Sequence, residues 1–445
     1  MLNDIPDDPA RRGLLQAAAR YGLTVPAVYL APGRAKTFVP FGRVRESAKR
    51  AAGPCIASDP DSVPGDCEVR IVRDFIDPYL ELLRLLRDAT EIEHALMVQY
   101  LFAAFSLKPG YESLVGYGDP NATTLLGVAI QEMQHLAVVN RFLVALGGAP
   151  NLAPQEFPFD VDIYPFTFNL EPLSRETLAK YVFAEAPPGI LDSDVPKGDD
   201  VTFVNSIWAL LGPEARVNHL GSLYKRIIAL TRELEASGSA GLPALTPWVT
   251  KLEAVMNQGE VDHYHFFRSV FMGTHGAFKG HPDIWNLPPL DPVYPAMPLE
   301  RNPSAYVGHP RQIRNPTGLS IAWLGNLHYW IVLCLLDLHF RETSTSLSDS
   351  LLALAEAHMQ GPLKTVGQSL PTLGVGLPFD PLGTGYAPGL EPARNRRFIM
   401  HLLAEADQLE KRIEHELTSD FPAGVSAQTA AVLQNQFPAA SHQSQ

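Results

Sequence analysis

The stretch "AIQEMQHLAVVNRFLVALGG" (residues 129–148) sets a carboxylate and an imidazole three residues apart inside an otherwise apolar helix. Val128, Leu136, Val139, Leu143 and Leu146 recur at helical spacing; Asn121 is placed to cap the start and Gly147-Gly148 to stop it. Residues at i and i+3 share a helix face, so Glu132 and His135 point the same way. A charge buried without a partner is expensive. The pair therefore lies on a solvated face or flanks something positive, and the apolar run "HLAVVNRFLVAL" fits the solvated face poorly.

The pattern does not stand alone. In "ATEIEHALMVQYL", Glu93 shares a face with Leu96, Met97 and Tyr100, and in "NQGEVDHYHFF" the Glu-x-x-His spacing returns at Glu260 and His263. A Glu on one long helix and Glu-x-x-His on two others is most of the donor set of a ferritin-like carboxylate bundle. That bundle takes one Glu from each of two helices and Glu-x-x-His from the other two. Carboxylates are hard, anionic and able to bridge, and neutral imidazole adds a borderline nitrogen donor, a combination suited to iron.

The rest of the chain fits a mainly α protein. Its 445 residues, 46% hydrophobic, suffice for a large core, and a net charge of −13 argues against a nucleic-acid partner, which needs clustered Lys and Arg. "MLNDIPDDPARRG" reads as a polar start rather than a leader, which predicts a cytoplasmic protein. Cys55, Cys67 and Cys334 make no disulfide framework; Cys55 and Cys67 either close one surface loop or stay free, and free thiols are expected. The apolar run 319–338 holds Asn326, His328 and Asp337, so it reads as a buried core helix and not a membrane span. The expected organisation is an irregular extension over 1–70 with one short helical pattern at 10–21, the bundle over 71–275, and a proline-rich wrapping loop over 276–316. Accessory helices over 317–418 and a disordered tail over 419–445 complete it. Pro213 and Pro247 suit the first turns of the last two bundle helices.

Together "EIEHALMVQYLFAAFSL", "QEMQHLAVVNRFLVALGGAP", "PLSRETLAKYVFAEAP", "LGSLYKRI" and "NQGEVDHYHFF" resemble the ferritin-like family of the iminophenyl-pyruvate dimer synthases. The resemblance spans roughly residues 75–275 and implies a ferritin-like four-helix bundle, a metal centre and a place in specialised metabolism. Glu93, Glu132, His135, Glu260 and His263 fall on the family's ligand positions. Two departures stand out: Gln131 precedes Glu132 where the family has a second Glu, and Ser222 stands where the fourth helix should supply a carboxylate. A hydroxyl binds iron weakly, so the resemblance predicts one ion well held and a second position weak, empty or served by His219. Glu185 is another donor, with capping or pairing in the body as its expected role.

Tyr100 and Tyr224 are candidate proton or electron relays beside the metal, against the plainer reading of aromatic core residues with hydrogen-bonded hydroxyls. His94 reads as a core or supporting histidine. The implied cofactors are iron, with manganese or copper behind it, and dioxygen as co-substrate. The implied partner is a small molecule, for which the aromatic segment 157–168 suggests an aromatic ring; a homodimer is compatible, and no membrane or nucleic-acid partner is expected. The expected activity is metal-dependent oxidation, oxygenation or oxidative coupling of an amino-acid-derived molecule. A non-catalytic metal-binding protein and a scaffold that has lost its metal are the alternatives.

Overall fold

The computed structural model describes residues 71–436, apart from 72, 154, 160–162, 192–197, 213–218, 239–241, 282, 383–385 and 390, with the backbone alone for 198–200. These residues belong to one compact unit, Glu68–Gln445. The expectations for residues 1–70, with Cys55 and Cys67, and for Pro213 lie outside the described residues.

The described chain is mainly helical, as expected, and strand pairing is limited to isolated bridges. Helix α1 (Pro78–Phe105) starts where Asp77 accepts a hydrogen bond from the Leu80 N–H, with Pro78 in the first turn. Helix α2 (Leu125–Ala145) is capped by Thr124, whose hydroxyl accepts from the Gly127 N–H. Asn121 is not the cap: its side chain closes the turn before the helix, accepting from the Thr123 N–H. Gly147, at φ 90°, ends the helix in the left-handed conformation that glycine adopts without strain.

Helix α3 (Arg175–Glu185) is capped by Ser174, and α4 (Gly198–Leu211) and α5 (Leu220–Ala236) follow. Helix α6 runs through three segments: Thr246–Gln258, a π-helical turn at Gly259–His263, and Tyr264–Phe271. Helix α1 packs against α2 and α5, and both of these pack against α6, which closes a four-helix bundle. Helix α3 lies against the last segment of α6. Tyr100, Leu136, Phe142, Leu223, Ile227 and Phe267 are among the side chains sealed inside.

Beyond the bundle, α7 (Pro316–Arg341) packs on α2 and most of its side chains are buried, so it is a core helix. Helix α8 (Thr345–His358) continues through a π turn at Met359–Leu363 into Lys364–Ser369; α9 (Pro392–Arg412) also covers α7. The proline-rich loop is strapped to the end of α1. The Lys108 N–H donates to the Pro295 carbonyl, the Met297 N–H to Ser106, and Lys108 Nζ to the Asp291 carbonyl. One expectation fails: residues 425–436 are not a disordered tail but a helix, α10 (Val425–Gln436). Its Ser426 hydroxyl donates to Glu410, Thr429 bonds His358 Nε2 and Leu433 is buried, so tertiary partners order a segment with little apolar patterning of its own.

Candidate metal centre

The centre is built on α1, α2, α3 and α6. Glu93 sits in the middle of α1 and is fully buried, as are Glu132 on α2 and His263 on α6; His135 and Glu185, the last residue of α3, are nearly so. Their donor atoms form two groups, Glu93–Glu132–His135 and Glu132–Glu185–His263, each with all atoms within 4.8 Å of one another. Glu132 belongs to both. Its Oε2 lies 3.1 Å from His135 Nδ1 and its Oε1 lies 2.8 Å from His263 Nδ1. Each imidazole faces a second carboxylate at 3.6 Å, Glu93 Oε2 for His135 and Glu185 Oε2 for His263.

The two halves repeat each other down to their supports. Tyr224 on α5 donates to Glu93 Oε1 at 2.5 Å, and Tyr100 on α1 donates to Glu185 Oε1 at 2.6 Å. In both carboxylates it is Oε2 that is left, buried and without a hydrogen-bond partner, and Glu132 Oε1 is in the same condition. The imidazoles are held crosswise. Gln258 on α6 sets its carbonyl oxygen 2.9 Å from His135 Nε2, and Gln131 on α2 sets its own 3.0 Å from His263 Nε2. A carbonyl can only accept, so each Nε2 carries a hydrogen, and each Nδ1 is the atom turned to the carboxylates.

Carboxylates packed this closely in a dry interior repel each other, and ionising them there is costly. Burial, reinforced by the Glu132 charge, pushes the Glu93 carboxyl up to about 8. Burial would lower the His263 imidazole, but Glu132 overrides it and holds the group at about 9, and His135 is raised in the same way. Without an ion, protons must sit between these groups. Three carboxylate oxygens without hydrogen-bond partners, two oriented Nδ1 atoms and a shared carboxylate together fit one divalent cation in each half.

Glu93, Glu132, His135 and His263 thus come together as the spacing predicts, and Tyr100 and Tyr224 touch the cradle through its carboxylates. Three expectations change. His219 is the N-cap of α5 and belongs to neither donor group; its Nδ1 donates to the Phe183 carbonyl at 3.1 Å. Glu185 is no cap: it pairs with Tyr100 and is grouped with Glu132 and His263, so Ser222 does not leave that half without a carboxylate. Glu260 also belongs to neither group. Its Glu-x-x-His lies in a π turn, where each residue advances less around the axis, so i and i+3 diverge more than on α2. Glu260 instead borders a cavity of about 10 Å³ with His135, Glu185 and Tyr224, pressed so close to Gly221 that a Cβ there would lie 2.0 Å from its Oε1.

Tyr164, which no spacing in the sequence marks, also lies within reach of these charges. Its hydroxyl is buried without a partner, and burial with the Glu185 and Glu93 charges keeps it protonated. Its neighbours Phe159 and Phe168 pair through their backbones and are buried, so much of the aromatic segment covers the bundle. His94 supports rather than ligates, with Nε2 hydrogen-bonded to the Tyr329 hydroxyl at 2.6 Å.

A family model described as Ferritin-like matches residues 86–246, the stretch that holds Glu93, Glu132, His135 and Glu185. That stretch is similar to the Ferritin-like family. Its curated relatives include the dichlorochromopyrrolate synthase of Lentzea aerocolonigenes, 34% identical over 133 residues, and the 2-imino-3-(indol-3-yl)propanoate dimerase of Chromobacterium violaceum, 34% identical over 142. Both are enzymes by name, in line with the family resemblance of the sequence. The match covers 25% of this chain and 13% and 14% of those proteins, so the chain spans about an eighth of the length of the curated relatives it matches. No solved structure matches it.

The crosswise glutamines give the domain a testable asymmetry. Gln258→Leu keeps the volume but removes the acceptor that fixes His135, and should weaken the ion of the Glu93 half by about 10–100-fold. The ion of the Glu185 half should be unaffected. Metal titration followed by absorption or calorimetry would show the two sites separate, and equal weakening of both would refute the crosswise assignment.

Proposed function

We propose that the chain is a metal-dependent oxidoreductase that oxidatively couples, or otherwise oxidises, an aromatic amino-acid-derived molecule in specialised metabolism. The observation that carries this is the doubled donor set around Glu132 in a domain whose relatives are named as a synthase and a dimerase. Glu93, Glu132 and His135 would hold one ion and Glu132, Glu185 and His263 the other, iron being the first choice for such N/O donors. Bound there, the metal supplies electron transfer between substrate and dioxygen.

The chain's own groups set the conditions. Gln131 and Gln258 fix the imidazoles, and the buried leucines and phenylalanines keep bulk water out. Tyr100 and Tyr224 hold protons on their hydroxyl oxygens, kept there by burial and by the Glu185 and Glu93 charges. Each proton lies one hydrogen bond from a carboxylate and can pass along it without solvent. Coupling two molecules forms one bond, breaks two bonds to hydrogen, and sends two electrons and two protons to dioxygen to give hydrogen peroxide. Ser222 in place of a carboxylate would favour a metal-free scaffold; Glu185 beside Glu132 and His263 supports the metal-dependent reading instead.

The test supplies 2-imino-3-(indol-3-yl)propanoate, generated in place, to protein loaded with ferrous iron. Oxygen uptake and a product of coupled mass, both absent with chelator-treated protein, are expected. Equal product from metal-free protein would overturn the proposal.

A further inference from the structure

On the other side of the α1–α2 layer lies a chamber of about 290 Å³, walled by α1, α2, α7 and the π turn of α8. We propose that it binds a flat, apolar ring system of about two fused rings that carries a carboxylate. The assignment rests on the chamber alone and does not require the metal reading.

Size sets the first limit. An apolar cavity of about 150 Å³ accepts one benzene, so this one accommodates about twice that. The walls favour a flat ring over an alkyl chain: Phe105, Tyr117, Tyr329 and Phe379 offer aromatic faces and edges. Met97, Met133 and Met359 add polarisable sulfur that packs well on rings. Among the described lining residues Lys364 alone carries a charge, and its Nζ lies 3.4 Å from the Tyr117 carbonyl oxygen. An ammonium beside an apolar chamber matches an anionic group on an apolar ligand.

Irregular backbone gathers at the same walls. Phe379 is buried with φ 46°, a conformation that costs a bulky residue of order 1–3 kcal/mol. Met359, Gln360 and Lys364 come from the π turn and its end, where Gly361 leaves helical geometry at φ −94°, ψ −105° and Pro362 follows. Such features persist where the surroundings hold them, and they cluster at ligand sites. Gln360 is exposed, which marks the side on which the chamber meets solvent. Tyr329 ties the chamber to the cradle through His94, the chain neighbour of Glu93.

Calorimetry on the full chain with indole-3-propionate and indole as probes tests the assignment. The acid should bind at one site, and Lys364→Met should weaken it about tenfold while moving indole by less than about twofold. Leu101 and Ile130 are half-buried lining residues on opposite helices. Leu101→Trp and Ile130→Trp fill the space, and each should weaken both probes by about thirtyfold or more without changing metal content. Should either variant not fold, the other carries the comparison. Methyl NMR signals of Met97, Met133 and Met359 should also shift when the acid is added to wild type. Absence of binding to wild type, or wild-type affinity in the filled variants, overturns the chamber. Probe binding retained in a protein that takes up no metal overturns only the metal reading.

Discussion

Glu132→Ala is expected to empty both halves of the cradle at once, taking metal content from about two ions per chain to nearly none. The other carboxylates and imidazoles each serve one half, but Glu132 gives Oε2 to one and Oε1 to the other. Its loss removes a ligand from each ion and the bridge between them. Activity should fall by more than the roughly 10–100-fold that follows from disturbing a mere supporting group. The helices should remain, because the bundle is held by its buried apolar side chains and the removed carboxylate was itself costly to bury. Metal analysis beside far-ultraviolet circular dichroism distinguishes these outcomes. Full metal content in Glu132→Ala would show that the ions lie elsewhere.

Glu185→Ala should have half that effect: about one ion lost and the Glu93 half retained. The companion variant Ser222→Glu should add nothing. Glu185 already places a carboxylate there, and Ser222 does not line the small cavity beside the donor groups. The sequence alone predicts the reverse, a rise from about one ion toward two on Ser222→Glu. Stoichiometry of wild type and both variants after identical loading decides between the two accounts. A gain of metal in Ser222→Glu, with no loss in Glu185→Ala, would restore the lopsided site.

The contrast shows where legibility stops. Glu93, Glu132, His135 and His263 can be read because each helix announces itself locally, with an apolar stripe and a polar residue out of place on it. Glu185 closes a short helix with weak patterning and reaches the site only because α3 packs along the end of α6, a tertiary fact that no spacing records. Glu260 misleads for the opposite reason, since its i, i+3 spacing presumes an α-helix where a π turn stands. Gln131 is conspicuous as a departure from the family pattern, yet its partner is on another helix, 132 positions away. The apolar character of α7 is enough to place it in the core; the helix at 425–436 is not legible, because its buried contacts are with α8 and α9 rather than within itself.

The most direct measurement is anomalous diffraction at the iron edge from crystals loaded with ferrous iron. Two peaks per chain are expected, about 3–4 Å apart, both bonded to Glu132. One should carry His135 Nδ1 and Glu93, and the other His263 Nδ1 and Glu185, at about 2.0–2.3 Å. A single peak, peaks bonded through Nε2, or iron found only elsewhere, for instance at the buried His328–His358 pair, would contradict a two-ion centre bridged by Glu132.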